Sequence, residues 1–128
     1  MDRQTVLVVE SDELIRDLLT ELLEGDGYAV LEAAGGAQAL RLLEEHVPTV
    51  VLLDQRLTDM SGLDVLKRQR AYAPCSRIPV ILMSGLTQEL AGLDHGANHV
   101  LVKPFDITDL LVRVASLAND TRVAVAQA

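Results

Sequence analysis

Five positions spread along the chain carry side chains suited to one kind of chemistry: Glu10, Asp12, Asp54, Ser84 and Lys103. Two or three carboxylates brought together repel one another and demand a cation. Oxygen ligands of this kind suit Mg²⁺, which keeps several of its waters and takes one or two protein carboxylates alongside phosphate oxygens. A lysine and a hydroxyl on the far side of such a cation hold the remaining oxygens of a phosphoryl group. A carboxylate attacks phosphorus to give an acyl phosphate, provided a metal offsets the accumulating negative charge. Gathered in one place, these residues describe a metal-assisted phosphoryl acceptor with Asp54 as nucleophile. Singly each is weak, because an Asp after an apolar run is more often a cap or turn residue. The elements that deliver the side chains therefore decide the matter.

Asp54 ends the run Val50 to Asp54, four apolar residues closing on one carboxylate and followed by a polar turn from Gln55 to Gly62. A short unbroken apolar run of this kind reads as a strand buried on both faces of a parallel sheet. Thr5 to Val9 forms a first strand ending at Glu10, with Ser11, Asp12 and Glu13 beyond it. Leu14, Ile15, Leu18, Leu19, Leu22 and Leu23 then fall at helical spacing and predict an amphipathic helix, opened by cap-type residues and closed at Gly25. Tyr28 to Ala33 is a second strand, Gly35-Gly36 a turn, and Ala39, Leu40, Leu43 and Val47 mark a second helix stopped before Pro48. Gly62 leads into a third helix, with Leu63 and Leu66 inward and Lys67, Arg68 and Arg70 forming a solvated basic face. Pro79 to Met83 is a fourth strand ending at Ser84-Gly85, and Thr87 to Asp94 is a short helix at best. Val100 to Val102 is a fifth strand running into Lys103-Pro104. Asp106 caps a last helix with Ile107, Leu110, Leu111, Val114 and Leu117 on one face, and Asn119 to Ala128 is a tail without a strong pattern. Strands and helices alternate throughout, which implies right-handed crossovers and a parallel sheet covered on both faces. The predicted fold is a three-layer α/β/α sandwich, one unit over residues 1–120 with a short tail or linker remnant at 121–128. Each chemistry-bearing side chain then stands at the carboxyl end of a strand, where open α/β sheets gather their ligands.

Composition narrows the function classes. A net charge of −8 argues against direct contact with nucleic acid or an anionic membrane surface, since both require a basic footprint. The one cysteine, Cys75, has no partner for an intrachain disulfide and reads as an incidental loop thiol, so a reducing cytoplasm is the expected setting. No apolar stretch reaches the length of a membrane span. With only Tyr28, Tyr72 and Phe105 aromatic, the core must be built mainly from Leu, Val, Ile and Ala. His46, His95 and His99 lack ligand spacing and read as surface or half-buried residues.

Over residues 5 to about 119 the chain resembles the receiver domain of bacterial two-component response regulators. The resemblance rests on five pieces in order: Val9-Glu10-Ser11-Asp12-Glu13, Leu52-Leu53-Asp54, Asp59-Met60-Ser61-Gly62, Met83-Ser84-Gly85 and Lys103-Pro104-Phe105. It implies a doubly wound, flavodoxin-like sheet of strand order 2-1-3-4-5. It also implies that Asp54 takes a phosphoryl group from a histidine kinase or phosphotransfer protein. Lys103 would then pair with Asp54 or with the phosphoryl group, a cis peptide would precede Pro104, and Ser84 would bond a phosphoryl oxygen. Mg²⁺ would be held by Glu10, Asp54 and the backbone carbonyl of Arg56. Such a protein is a phosphoryl acceptor that assists its own phosphorylation and dephosphorylation, not a conventional enzyme, and it signals to a downstream protein by contact. Homodimerisation stays open.

The chain departs from the family's pattern in ways that bear on mechanism. The family carries two adjacent acids after the first strand, the second of them a direct metal ligand; here the pair is Glu10-Ser11, so Mg²⁺ binding is expected to be weakened. Asp12 lies one residue too far along and serves as a ligand only if the loop shifts; capping the first helix is its alternative. The Arg56 guanidinium either folds back onto Glu10 or Asp54 as a built-in cation or stays solvated. The family's aromatic switch residue, which moves together with the serine, is replaced by Val100, and His99 cannot substitute because its side chain points to the other face of the strand. The spacing from Ser84 to Gly96 is about three residues short, roughly one helical turn, so a stunted fourth helix is expected. Thr58 stands where the family often has Pro, leaving that loop less rigid. Two functions follow: a receiver phosphorylated on Asp54, or a degenerate receiver acting as a phosphorylation-independent interaction module.

Overall fold

In the computed structural model the described residues are 3–85 and 95–127, with side chains described as far as residue 119. Five strands, β1 (Thr5–Val9), β2 (Ala29–Ala33), β3 (Val50–Asp54), β4 (Val80–Ser84) and β5 (His99–Val102), form one parallel sheet in the order β2-β1-β3-β4-β5. The described helices are α1 (Glu13–Gly25), α2 (Gly36–Glu45), α3 (Gly62–Ala71) and α4 (Ile107–Gln127), with a 3₁₀ turn at Ala73–Cys75. This is the three-layer, doubly wound architecture the alternating pattern predicts. The short helix expected over Thr87 to Asp94 lies outside the described residues.

The layers follow from strand alternation. Val6, Val8, Val50, Leu52, Ile81, Met83 and Leu101 face one way and pack on Leu19 and Leu23 of α1 and Leu110, Val114 and Leu117 of α4. Leu7, Val9, Val51, Leu53, Val80 and Leu82 face the other way and pack on Ala39 and Leu43 of α2 and Val65 and Leu66 of α3. Every residue of β3 and β4 is buried, which is why both read as continuous apolar runs rather than alternating ones. The register aligns Val9 with Leu53, Asp54 with Met83, and Ser84 with Val102. Glu10, Asp54, Ser84 and Lys103 therefore arrive together at the carboxyl edge of the sheet.

Several local expectations are corrected. On α1 only Leu19 and Leu23 are buried, while Leu14, Ile15 and Leu18 are 81%, 40% and 50% exposed. Its apolar stripe is wider than its core contact, so part of it faces outward. Helix α2 ends at Glu45 and Val47 lies beyond it, exposed, because a residue before proline is driven out of the helical region. In α3 the buried positions are Val65, Leu66 and Gln69, with Leu63 only half-buried. Arg70 is not part of a solvated face: its guanidinium donates to the carbonyls of Ser76, Ile78 and Gly96 and to Asn98 Oδ1. Cys75 is buried in the core, and burial pushes its thiol up from the ordinary value. The expected tail from Asn119 is helical through Gln127, since no Gly or Pro interrupts it and adding a residue to an existing helix costs far less than nucleating one.

Candidate functional site

At the carboxyl edge, Asp54 is 5% exposed and held from two sides. Lys103 Nζ lies 2.9 Å from Asp54 Oδ2 in an ion pair, and the Arg56 backbone N–H donates to Asp54 Oδ1 at 3.1 Å. The β5 end delivers Lys103 through a backbone hydrogen bond from its N–H to the Ser84 carbonyl at 2.8 Å, and the Lys103–Pro104 peptide is cis. Ser84 is 2% exposed, and its hydroxyl donates to the Gly85 carbonyl at 2.9 Å. Asp54, Lys103 and Ser84 are thus brought to the same edge of the sheet.

Glu10 occupies the other side, 2% exposed, with Oε2 lacking any hydrogen-bond partner. Its carboxyl is pushed up to about 8, first by burial, then by hydrogen bonding to Asp54 and by that residue's negative charge, with Lys103 opposing. Burial beside Asp54 thus favours a proton held within this pair of carboxyls. Two buried carboxyls that keep a proton between them, one with an orphaned oxygen, form a donor set that a divalent cation fits. Glu10 and Asp54 supply the oxygens of that donor set. Among the described residues no cluster of three or more His, Cys, Asp or Glu side chains gathers into a metal site.

The remaining candidates are distributed differently. Asp12 is exposed and accepts from Ile15 N–H at 3.1 Å, so it caps α1 and does not join Glu10 and Asp54. The Arg56 side chain is exposed and takes part in no ion pair among the described residues; its backbone does the contacting, including a bridge to Ser61. Val100 pairs with Leu82 in the sheet and packs, half-buried, against the α2/α3 core. His99 is half-buried beside Arg113, its Nδ1 2.9 Å from the guanidinium; burial and that charge hold its imidazole below the ordinary value.

Sequence reasoning missed four features around the pocket. Ser11 Oγ donates to the Ala34 carbonyl at 2.9 Å and accepts from Thr58 N–H at 3.0 Å. Asp59 accepts from Gly36 N–H at 2.9 Å and Ala37 N–H at 3.0 Å, capping α2 from another loop and lowering the Asp59 carboxyl through those bonds. Its signal was the glycine pair opening a helix that has no side-chain cap of its own. Gly62 lets the turn close: its N–H donates to the Gln55 carbonyl at 2.8 Å, and a Cβ there would collide with the backbone oxygen of Asp54. The fourth feature is a groove of about 470 Å³ lined by Ile15, Leu18 and Leu22 of α1 with Phe105, Ile107 and Lys103.

The geometry is that of a buried carboxylate paired with a lysine, beside a second buried acid, at the carboxyl edge of a parallel α/β sheet. Residues 6–115 match the family model described as "Response regulator receiver domain". The chain is 34% identical over 122 residues to the "Probable transcriptional regulatory protein TcrX" of Mycobacterium tuberculosis, covering 93% of this chain and 51% of that protein. Among solved structures it is similar to a putative response regulator of Chloroflexus aurantiacus, with a TM-score of 0.88 and 29% identity over 92% of this chain and 99% of that one. It is also similar to the receiver domain of the sensor histidine kinase PA1611 of Pseudomonas aeruginosa, described with a magnesium ion coordinated in the active-site cleft. That match has a TM-score of 0.85 and 27% identity, over 92% of this chain and 99% of that one. The chain belongs to the response regulator receiver family of two-component systems. It spans about half the length of the curated relatives it matches.

Proposed function

We propose that Asp54 accepts a phosphoryl group from a phosphohistidine on a kinase or phosphotransfer protein. A carboxylate oxygen of Asp54 attacks phosphorus, the P–N bond to the imidazole breaks, and the departing nitrogen keeps the electron pair. The product is an acyl phosphate. Lys103 holds one phosphoryl oxygen once it is released from the Asp54 carboxylate, and the Ser84 hydroxyl turns from the Gly85 carbonyl to donate to another. Mg²⁺ bound by Glu10, Asp54 and the Arg56 carbonyl supplies charge neutralisation for the remaining oxygens. The cation is held more weakly than where a second acid follows the first, because Ser11 brings no charge and Asp12 is engaged as a helix cap. The observation that carries this reading is the 2.9 Å Lys103–Asp54 ion pair on a buried carboxylate at the sheet's ligand-binding edge.

The donor protein docks on the exposed apolar strip of α1, because the groove beside Leu18 is bounded by Lys103, the residue that pairs with the acceptor. The signal passes onward by protein contact from residues 1–120, in the cytoplasm, and the negative charge of this unit directs it to proteins rather than to nucleic acid or membrane. Incubation with acetyl phosphate and Mg²⁺ followed by intact-mass measurement tests the acceptor. One added phosphoryl group that disappears in Asp54→Asn is the expected result. The absence of an adduct at every Mg²⁺ concentration would instead favour a phosphorylation-independent interaction module.

A further inference from the structure

Ser11 stands where the family places its second acid, and its hydroxyl is fully engaged. As donor it reaches the Ala34 carbonyl at 2.9 Å in the β2–α2 loop; as acceptor it takes Thr58 N–H at 3.0 Å in the β3–α3 loop, with Thr58 Oγ1 at 3.5 Å. An ionised carboxylate offers acceptors only, so an Asp at this position would face the Ala34 carbonyl oxygen with no proton to share. A hydroxyl satisfies both neighbours at once. Thr58 lies two residues beyond Arg56, whose N–H donates to Asp54 Oδ1 and whose carbonyl is the backbone group that the proposed function gives to the cation. The same loop is tied further along by Asp59 to the start of α2 and by Gly62 to Gln55. Without Ser11 the stretch from Arg56 to Thr58 has no other tie to the β1–α1 loop among the described hydrogen bonds.

We infer that Ser11 is a positioning residue: it has exchanged metal ligation for a hydrogen-bonded staple that orders the β3–α3 loop, and with it the Arg56 carbonyl, before any cation arrives. The loop is then organised by protein groups in the metal-free state, and cation binding does not have to supply the ordering. A binding event that finds its site already ordered retains more of its intrinsic affinity. The consequence for Mg²⁺ rests on the phosphoryl-acceptor reading; the staple itself does not.

Amide hydrogen exchange by NMR on the full chain, without metal, tests it. Thr58 N–H exchange is expected to rise roughly five- to tenfold in Ser11→Ala, the change that loss of one ordinary hydrogen bond carries. Ser11→Thr, which keeps the hydroxyl, should exchange like the wild type, and β4 amides should be unchanged in both. Equal Thr58 exchange in wild type and Ser11→Ala overturns the inference, as does failure of Ser11→Thr to restore protection. In a Mg²⁺ titration the dissociation constant should rise several-fold in Ser11→Ala and not in Ser11→Thr. A chain that shows the exchange contrast yet takes no phosphoryl group would refute the acceptor reading and leave the staple standing.

Discussion

The two sides of the Asp54 pocket are built on different principles. On the β4–β5 side, Lys103 and Ser84 present a full cation and a hydroxyl, one already paired with Asp54 at 2.9 Å and the other free to turn. On the β1 side, Glu10 is buried with its carboxyl pushed up beside Asp54, and Ser11 spends its hydroxyl on two loops. One side presents a charged ammonium and a hydroxyl; the other is held by hydrogen bonds beside a buried acid whose carboxyl is pushed up. The contrast teaches that the two halves of such a pocket can change separately. The anion-holding half depends on one long side chain reaching across from β5, while the cation-holding half depends on the charge count at the end of β1.

The largest break in that comparison should come from the lysine. Lys103→Ala removes the charge that faces the phosphoryl group, and labelling by acetyl phosphate is expected to fall about a hundredfold, as when one preorganised electrostatic donor is lost. The Mg²⁺ affinity of the same variant should not fall, since the ammonium repels the cation; a parallel loss of both would show the halves to be coupled. A smaller effect separates docking from chemistry. With a histidine kinase that labels the wild-type chain, Leu18→Glu is expected to slow transfer about tenfold by placing a charge on an apolar contact surface. Labelling of this variant by acetyl phosphate should be unchanged, because Leu18 touches none of the reacting groups.

The smallest effect concerns Glu10. Its folded value of about 8 lies above the ordinary 4.5, so the fold favours the protonated form. That contribution to stability is fully present below the ordinary value and is lost as pH rises through the folded one. The melting temperature of metal-free protein should therefore decline between about pH 5 and 8 relative to Glu10→Gln, which does not titrate. Parallel pH profiles for the two proteins would show that Glu10 is not held protonated.

Much of this was legible in the residues. Strands buried on both faces leave unbroken apolar runs, so Val50 to Asp54 and Pro79 to Met83 announced themselves, and a parallel register then carries Glu10, Asp54, Ser84 and Lys103 to one edge. What was not legible involves partners without side-chain identity. Ser11 and Arg70 bond backbone carbonyls and amides, which every residue possesses, so neither the staple nor the clamp leaves a trace in residue types. Periodicity shows that α1 is apolar on one side but not how wide a strip the core covers, and Leu14 and Leu18 fell outside it. The run of α4 past Asn119 has no apolar pattern to reveal it, because a helix already nucleated extends through residues that need only avoid breaking it. Glu10 was readable as a metal-side acid; its proton was not, because that depends on burial beside Asp54.

The central claim, an intact anion-holding half beside a rebuilt cation-holding half, is tested most directly by the Mg²⁺ dependence of acetyl phosphate labelling. Intact mass is followed in wild type and in Ser11→Asp, which restores the second acid. The account predicts one phosphoryl group on Asp54 in both proteins, with the variant half-labelled at several-fold lower Mg²⁺, the added carboxylate outweighing the lost bond to the Ala34 carbonyl. An equal Mg²⁺ requirement in the two proteins, or no adduct in either, would contradict it.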